Sequence, residues 1–142
     1  MPLSYYPRLG EVLVCHYGHQ AIHPEIGKSR PCVVIGPRLR NRGGLVGVVP
    51  LSTTAPPEMC DYHRIIEFNP TMPAPYNSPV MWAKCDLFSN VSLERLDRFK
   101  LPAKRYGGPR TFTTGQLGED VVAELKRAVL CGLGLGSLTI HI

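Results

Sequence analysis

Three short stretches of the chain carry residue types that can act on a phosphate. Glu25-Ile26-Gly27-Lys28-Ser29-Arg30-Pro31 places a carboxylate before an arginine across a glycine turn. Pro31 biases Arg30 toward extended backbone, which aims the guanidinium out of the start of a strand. A guanidinium held this way grips a phosphate through a bidentate fork. Ser52-Thr53-Thr54 directly follows Val48-Val49-Pro50-Leu51, and hydroxyls at a strand end can donate to a phosphate oxygen. Lys84-Cys85-Asp86 closes the apolar run around Trp82. In an extended strand Lys84 and Asp86 share one face and Cys85 takes the other, so a cation and a carboxylate stand side by side as acid and base. Each group also has a simpler explanation. Glu25 and Arg30 can be a surface pair of little energetic weight. The hydroxyls can close a turn on its own backbone. Lys84 and Asp86 can satisfy one another. On spacing alone, the simpler explanation is the stronger in each case.

Other constellations are weaker. Cys60-Asp61-Tyr62-His63 has C-x-x-H spacing, and His16, His19 and His23 lie close together in sequence. No second ligand pair stands at a zinc spacing, so no metal and no cofactor are expected. No histidine is placed by sequence to activate Cys85 as a nucleophile. Gly43-Gly44 and Gly107-Gly108 open no helix and are followed by no G-K-[ST], so neither is a phosphate loop.

The elements that must position these groups are short. Gly and Pro number 14 each among 142 residues, well above the about 12% of average usage. A chain punctuated that often is not a bundle of long helices. Strands are expected over 11–16, 32–35, 45–51, 62–68 and 80–85, with a sixth from Asn90. Pro50 marks the third as an edge or a bulge. Leu93, Leu96 and Phe99 fit a helical turn. Residues 38–44 and 104–110 are basic, glycine-bearing loops. One clear helix is expected over 116–133, where Leu117, Val121, Leu125 and Val129 recur every four residues. Glu119 and Asp120 suit its first turn, and Gly132 and Gly134 its end. The sum is a mainly β fold, a strongly bent and mostly antiparallel barrel, carrying a C-terminal α-helix within one domain over 1–142.

Composition bounds the partners. Hydrophobic residues make up 44% and charged residues 19%, which excludes disorder. The first residues lack a basic stretch followed by an apolar run, so no signal peptide is expected. No run approaches the ~18 apolar residues of a membrane span. The five cysteines form no C-x-x-C and point to reduced thiols in a cytoplasmic protein. A net charge of +5 favours an anionic partner, nucleic acid or an acidic protein, without choosing between them.

Taken together these segments resemble the PemK/MazF family (Kid-like), the toxins of type II toxin–antitoxin systems. The likeness runs from Gly10-Glu11-Val12 through Glu25, Gly27-Lys28, Arg30-Pro31 and Val33-Val34-Ile35. It continues through Val49-Pro50-Leu51-Ser52-Thr53-Thr54 to Lys84-Cys85-Asp86 and, more weakly, the C-terminal helix. The resemblance implies an SH3-like barrel of the PemK/MazF type that forms a homodimer. It implies a sequence-selective, metal-independent endoribonuclease (an mRNA interferase) that cuts single-stranded RNA by 2′-OH attack and is restrained by a cognate antitoxin. Glu25 and Arg30 then match the family's loop Glu and R-P Arg. Ser52 and Thr53 match its hydroxyl pair, and Asp86 matches the Asp two residues beyond a basic position, here Lys84. In that scheme Arg30 holds the phosphate and Asp86, assisted by Glu25, is the base. Lys84 is the acid or a second phosphate contact, and Ser52 and Thr53 donate to non-bridging oxygens. Four features depart from the pattern: Ser52 stands where Thr is common, Lys84 where Arg is, Pro24 replaces a loop His, and the tail beyond Phe99 is longer. The alternative is a catalytically weakened barrel that binds nucleic acid or a protein partner without cleaving.

Overall fold

β1 (Glu11–His16), β2 (Ser29–Val34) and β3 (Leu45–Ser52) read as almost unbroken apolar runs because both of their faces are covered. In the computed structural model, which describes residues 3–18 and 20–142, they pair antiparallel, with Val12 opposite Val33 and Val33 opposite Val49. Alternation sends Val12, Val14, Val33, Val49 and Leu51 into one core. It sends Leu13, Cys15, Cys32, Val34, Val46 and Val48 into a second. The first core is closed by Val122, Leu125 and Ala128 of the helix α1 (Glu119–Gly132), with Phe99, Met81 and Ala83. Leu3, Val91 and Leu96 close the second.

The remaining strands are β4 (His63–Glu67), β5 (Val80–Lys84), β6 (Ser89–Ser92), β7 (Leu96–Asp97), β8 (Phe99–Lys100), β9 (Phe112–Thr113) and β10 (Gly115–Gln116). The main sheet runs β10-β1-β2-β3-β5-β4, with β6 also on β3 and β7 also on β1, while β8 and β9 pair separately. The described residues include no pairing of β10 with β4, so the expected barrel is an open antiparallel sheet with a C-terminal helix rather than a closed cylinder.

Pro50 does not mark an edge. It stands opposite Cys32 where the other side of β3 passes from β6, paired over 45–48, to β5, paired over 51–52. A residue with no N–H to give is tolerated at that gap. The helix begins later than its apolar pattern suggests, because Gly115 and Gln116 pair with Val12 and Glu11 instead. Leu93–Arg95 is a 3₁₀ turn, with the Ser92 hydroxyl accepting the Glu94 N–H, but Leu96 and Phe99 go into strands. Among the described residues, no helix is long and apolar enough to cross a membrane.

Candidate functional site

β2 begins at Ser29 because the β1–β2 ladder extends to the pair His16–Ser29. Alternation from Cys32 puts Arg30 on the face of the second core and Ser29 on the other. The Arg30 Nε is buried and has no hydrogen-bond partner among the described residues. Its charge reaches the Tyr17 and Tyr76 phenols, opposing the burial that raises both.

Arg30 lines a cavity of about 490 Å³ with Glu25, Lys28, Lys84, Pro50 and Leu51. Glu25 also lines the adjoining cavity of about 720 Å³, which holds Asp86, Tyr17 and Arg95. Three cations against one carboxylate make the first cavity positive, whereas two carboxylates against Arg95 make the second negative. Glu25 is on the wall common to both. Its Oε2 accepts the Ile22 N–H at 3.0 Å, and its own N–H donates to the Ile22 carbonyl at 2.8 Å, which fixes the turn that presents it.

Lys84 and Asp86 do not share a strand face. β5 ends at Lys84, and Cys85–Leu87 forms a 3₁₀ turn with Asp86 in it. The two side chains therefore line neighbouring cavities instead of standing side by side. The Ser52 hydroxyl, buried at the end of β3, donates to the Thr54 carbonyl at 3.0 Å and accepts the Thr54 N–H at 3.1 Å. Thr53 is exposed. Neither Ser52 nor Thr53 lines the two cavities.

Arg95 and Tyr17 escaped the sequence reading. Arg95 Nη1 donates to the His16 carbonyl at 3.0 Å, and a Cβ at Gly18 would collide with its guanidinium. Gly18, at φ +94°, therefore serves both the chain reversal and the arginine. The glycine was visible, but its partner lies far along the chain. Burial pushes the Cys85 thiol up to about 12, against the lowering influence of Arg64, so this sulfur is a neutral thiol and a poor nucleophile. The C-x-x-H stretch closes on itself: the Cys60 N–H donates to His63 Nδ1 at 3.0 Å. His19 lies outside the described residues. Among those described, no three His, Cys, Asp or Glu side chains gather as a metal ion would need.

The protein YifN of Escherichia coli is 28% identical to this chain, with 97% of this chain and 99% of that protein aligned. An uncharacterized protein of Haemophilus influenzae is 29% identical, with 93% of each aligned. In fold, the chain is similar to MazF of Deinococcus radiodurans, at a TM-score of 0.59 and 22% identity over 92% of this chain and 99% of that one. It is also similar to a mycobacterial endoribonuclease in complex with its cognate antitoxin, at a TM-score of 0.55 and 18% identity over 92% and 97%. The family model for PemK-like, MazF-like toxins matches residues 8–130, from the start of the sheet almost to the end of α1. The three core-forming strands, the R-P turn and all but the last two residues of the C-terminal helix fall within that span, and the chain belongs to the PemK-like, MazF-like toxin family of type II toxin–antitoxin systems.

Proposed function

We propose that this chain is an endoribonuclease toxin that cuts single-stranded RNA by attack of a ribose 2′-hydroxyl on the adjacent phosphodiester. The observation that carries this reading is the place of Glu25, on the wall between a cavity of cations and a cavity holding Asp86. A phosphate and the groups that move protons to and from it need that juxtaposition.

Arg30 takes the phosphate. Its guanidinium stays charged, and its buried Nε has a donor to offer. Stabilising the charge that builds on the five-coordinate phosphorus is the largest single contribution such a site makes. Asp86, with Glu25, accepts the 2′-OH proton, and each positioned proton-transfer group contributes about 10²–10⁴-fold. The O2′–P bond forms, the P–O5′ bond breaks, and Lys84 protonates the leaving oxygen. The products are a 2′,3′-cyclic phosphate and a 5′-hydroxyl. The need for a 2′-OH makes RNA, and not DNA, the substrate. Thr53 offers its hydroxyl to a non-bridging oxygen, while Ser52 holds the turn that carries it. The positive charge a metal would bring comes from Arg30, Lys28 and Lys84.

The partners follow from the same charges. An acidic antitoxin segment laid over the cationic cavity would block it, and the mycobacterial relative is an endoribonuclease bound to its cognate antitoxin. The toxin acts as a homodimer in the cytoplasm. A time course with end-labelled single-stranded RNA tests the reading. Wild type yields fragments ending in cyclic phosphate, and Arg30→Ala slows this by about 10³-fold or more with an unchanged circular-dichroism spectrum. Equal cleavage by Arg30→Ala rules the assignment out.

One observation favours a second reading, binding without cutting: the Ser52 hydroxyl is spent on Thr54, which leaves one free hydroxyl of the expected pair. In the same time course, RNA that is shifted in a gel but stays intact identifies that case.

A further inference from the structure

The charge of this protein is concentrated in one place. Residues 98–110 contain Arg98, Lys100, Lys104, Arg105 and Arg110 and no Asp or Glu. The rest of the chain is neutral, with 11 Lys and Arg against 11 Asp and Glu, so these five cations equal the entire net charge of +5. Arg98 immediately precedes the β8–β9 hairpin and the other four lie in the hairpin and its loop, and none of the five lines either cavity described above.

Three of them, Arg98, Lys100 and Arg110, converge on a separate cavity of about 380 Å³, which also holds His16, Ser29 and Tyr76. The one carboxylate there, Asp97, is engaged: its Oδ1 accepts the Arg98 N–H at 2.7 Å, and its Oδ2 lies 3.9 Å from His16 Nε2. The Ser29 hydroxyl is 2.6 Å from His16 Nδ1. This cavity begins where the first site ends. Ser29 and Arg30 are consecutive residues of β2, so they face opposite sides of the sheet. The Arg30 charge is nonetheless felt by Tyr76, which lines the β8–β9 cavity.

We propose that the β8–β9 cavity is a second RNA-binding subsite, which holds a phosphate of the same strand on the far side of Ser29 from the phosphate cut at Arg30. The proposal rests on the nuclease reading for the strand's direction, but not for its affinity. RNA is favoured over an acidic peptide because aromatic faces accompany the cations. Tyr76 lines the cavity, and Tyr106, 90% exposed at the hairpin's tip, has the Arg105 guanidinium 5.6 Å from its ring centroid. Cations beside one half-buried ring and one exposed ring suit a strand whose bases stack and whose backbone is charged.

The test compares wild type, Arg98→Ser/Lys100→Ser/Arg110→Ser, and Lys100→Ser/Arg110→Ser. The double variant keeps Arg98, whose guanidinium lies 4.7 Å from the Phe112 ring centroid and packs the hairpin. The probes are a fluorescent single-stranded RNA long enough to span both cavities, an RNA tetranucleotide and poly-glutamate. Expected for the triple variant is at least a tenfold loss of affinity for the long RNA, with tetranucleotide cleavage unchanged. The slope of log affinity against log salt becomes shallower by about 0.7, the value for one phosphate contact on a single strand. The double variant shows a smaller change of the same sign.

Unchanged affinity and salt slope for the long RNA in the folded double variant overturn the subsite, as does a loss confined to poly-glutamate. Cleavage by wild type with no effect of the variants sinks the subsite alone. Long-RNA binding that depends on these cations, without any cleavage, sinks the nuclease reading alone.

Discussion

Gly132, the last residue of α1, lies so close to Asp86 that a methyl group on it would sit 2.9 Å from the Asp86 Cα and 3.3 Å from its Cβ. The neighbour is mainly backbone, which cannot swing aside as a long side chain can. The end of the helix therefore sets where the Asp86 turn lies. Substituting alanine improves helix propensity by about 1 kcal/mol while forcing the turn or the helix to move. Gly132→Ala is thus expected to leave the melting temperature nearly unchanged and to lower RNA cleavage about 10–100-fold, as a misplacement near 1 Å does. Gly43→Ala is the control, since a Cβ there meets nothing within 4 Å. Equal activity of the two variants in a steady-state cleavage assay would show that Asp86 does not need this position.

Ser52 and Thr53 are adjacent in sequence and opposite in character. The Ser52 hydroxyl is buried and bonded twice to Thr54, whereas Thr53 is exposed. Ser52→Ala leaves the Thr54 N–H without that acceptor and should cost about 1 kcal/mol of stability, read as a lower denaturation midpoint. Thr53→Val should leave the midpoint alone and lower kcat on single-stranded RNA. Denaturant melts and cleavage rates measured on the same two variants separate the roles. The reverse pattern would assign the phosphate contact to Ser52.

The sheet and the helix were legible because their signals are local. Val12 to Cys15 and Cys32 to Ile35 can be little else than buried strands, and the four-residue recurrence from Leu117 to Val129 marks a helix core face. What failed was whatever depends on a partner distant in sequence. Gln116 continues the helical pattern, yet pairs with Glu11. Asp86 continues the alternation of β5, yet the strand stops at Lys84 because the next residues turn beneath α1. Glu25 and Arg30 are near enough in sequence for their convergence to be expected, and both line one cavity. Arg95 joins that region through the His16 carbonyl, a contact across 79 residues that no spacing rule reaches.

Arg30, Lys28 and Lys84 supply the positive charge of the cationic cavity. Cleavage is accordingly expected to persist in EDTA and to fall with added salt, since ions screen the attraction of RNA to these side chains. Activity lost to EDTA and restored by a divalent cation would require a metal-assisted route. The two outcomes are distinguished by assaying one enzyme stock across a chelator series and a salt series.

The five thiols should divide by burial. Cys15, Cys32 and Cys85 are almost wholly inaccessible, and Cys60 and Cys131 are partly exposed. Burial also raises the Cys85 thiol to about 12, and only the thiolate reacts. A native titration with a thiol-exchange reagent at neutral pH should therefore release two equivalents promptly and the other three only in denaturant. Rapid modification of Cys85, located by peptide mapping, would contradict its place in the first core.

Glu124 ties α1 to β4. Its Oε1 accepts from Arg64 Nε at 2.8 Å and its Oε2 from Arg127 Nη1 at 3.0 Å. The hydrogen bond from Arg64, followed by that from Arg127, holds its carboxyl below the ordinary value of 4.5. The fold therefore favours the ionised form. Its contribution is complete above pH 4.5 and is lost as pH falls from there through the lowered folded value. The carboxylate is about half exposed, so the effect is modest and weakens in salt. Thermal melts of wild type and Glu124→Gln should differ at pH 6, with wild type the more stable, and converge as the pH is lowered below 4.5 and through the lowered folded value. The gap at pH 6 should narrow at high ionic strength. A gap that stays constant from pH 6 down through the lowered folded value would mean that shape, and not charge, makes this residue matter to the helix–strand joint.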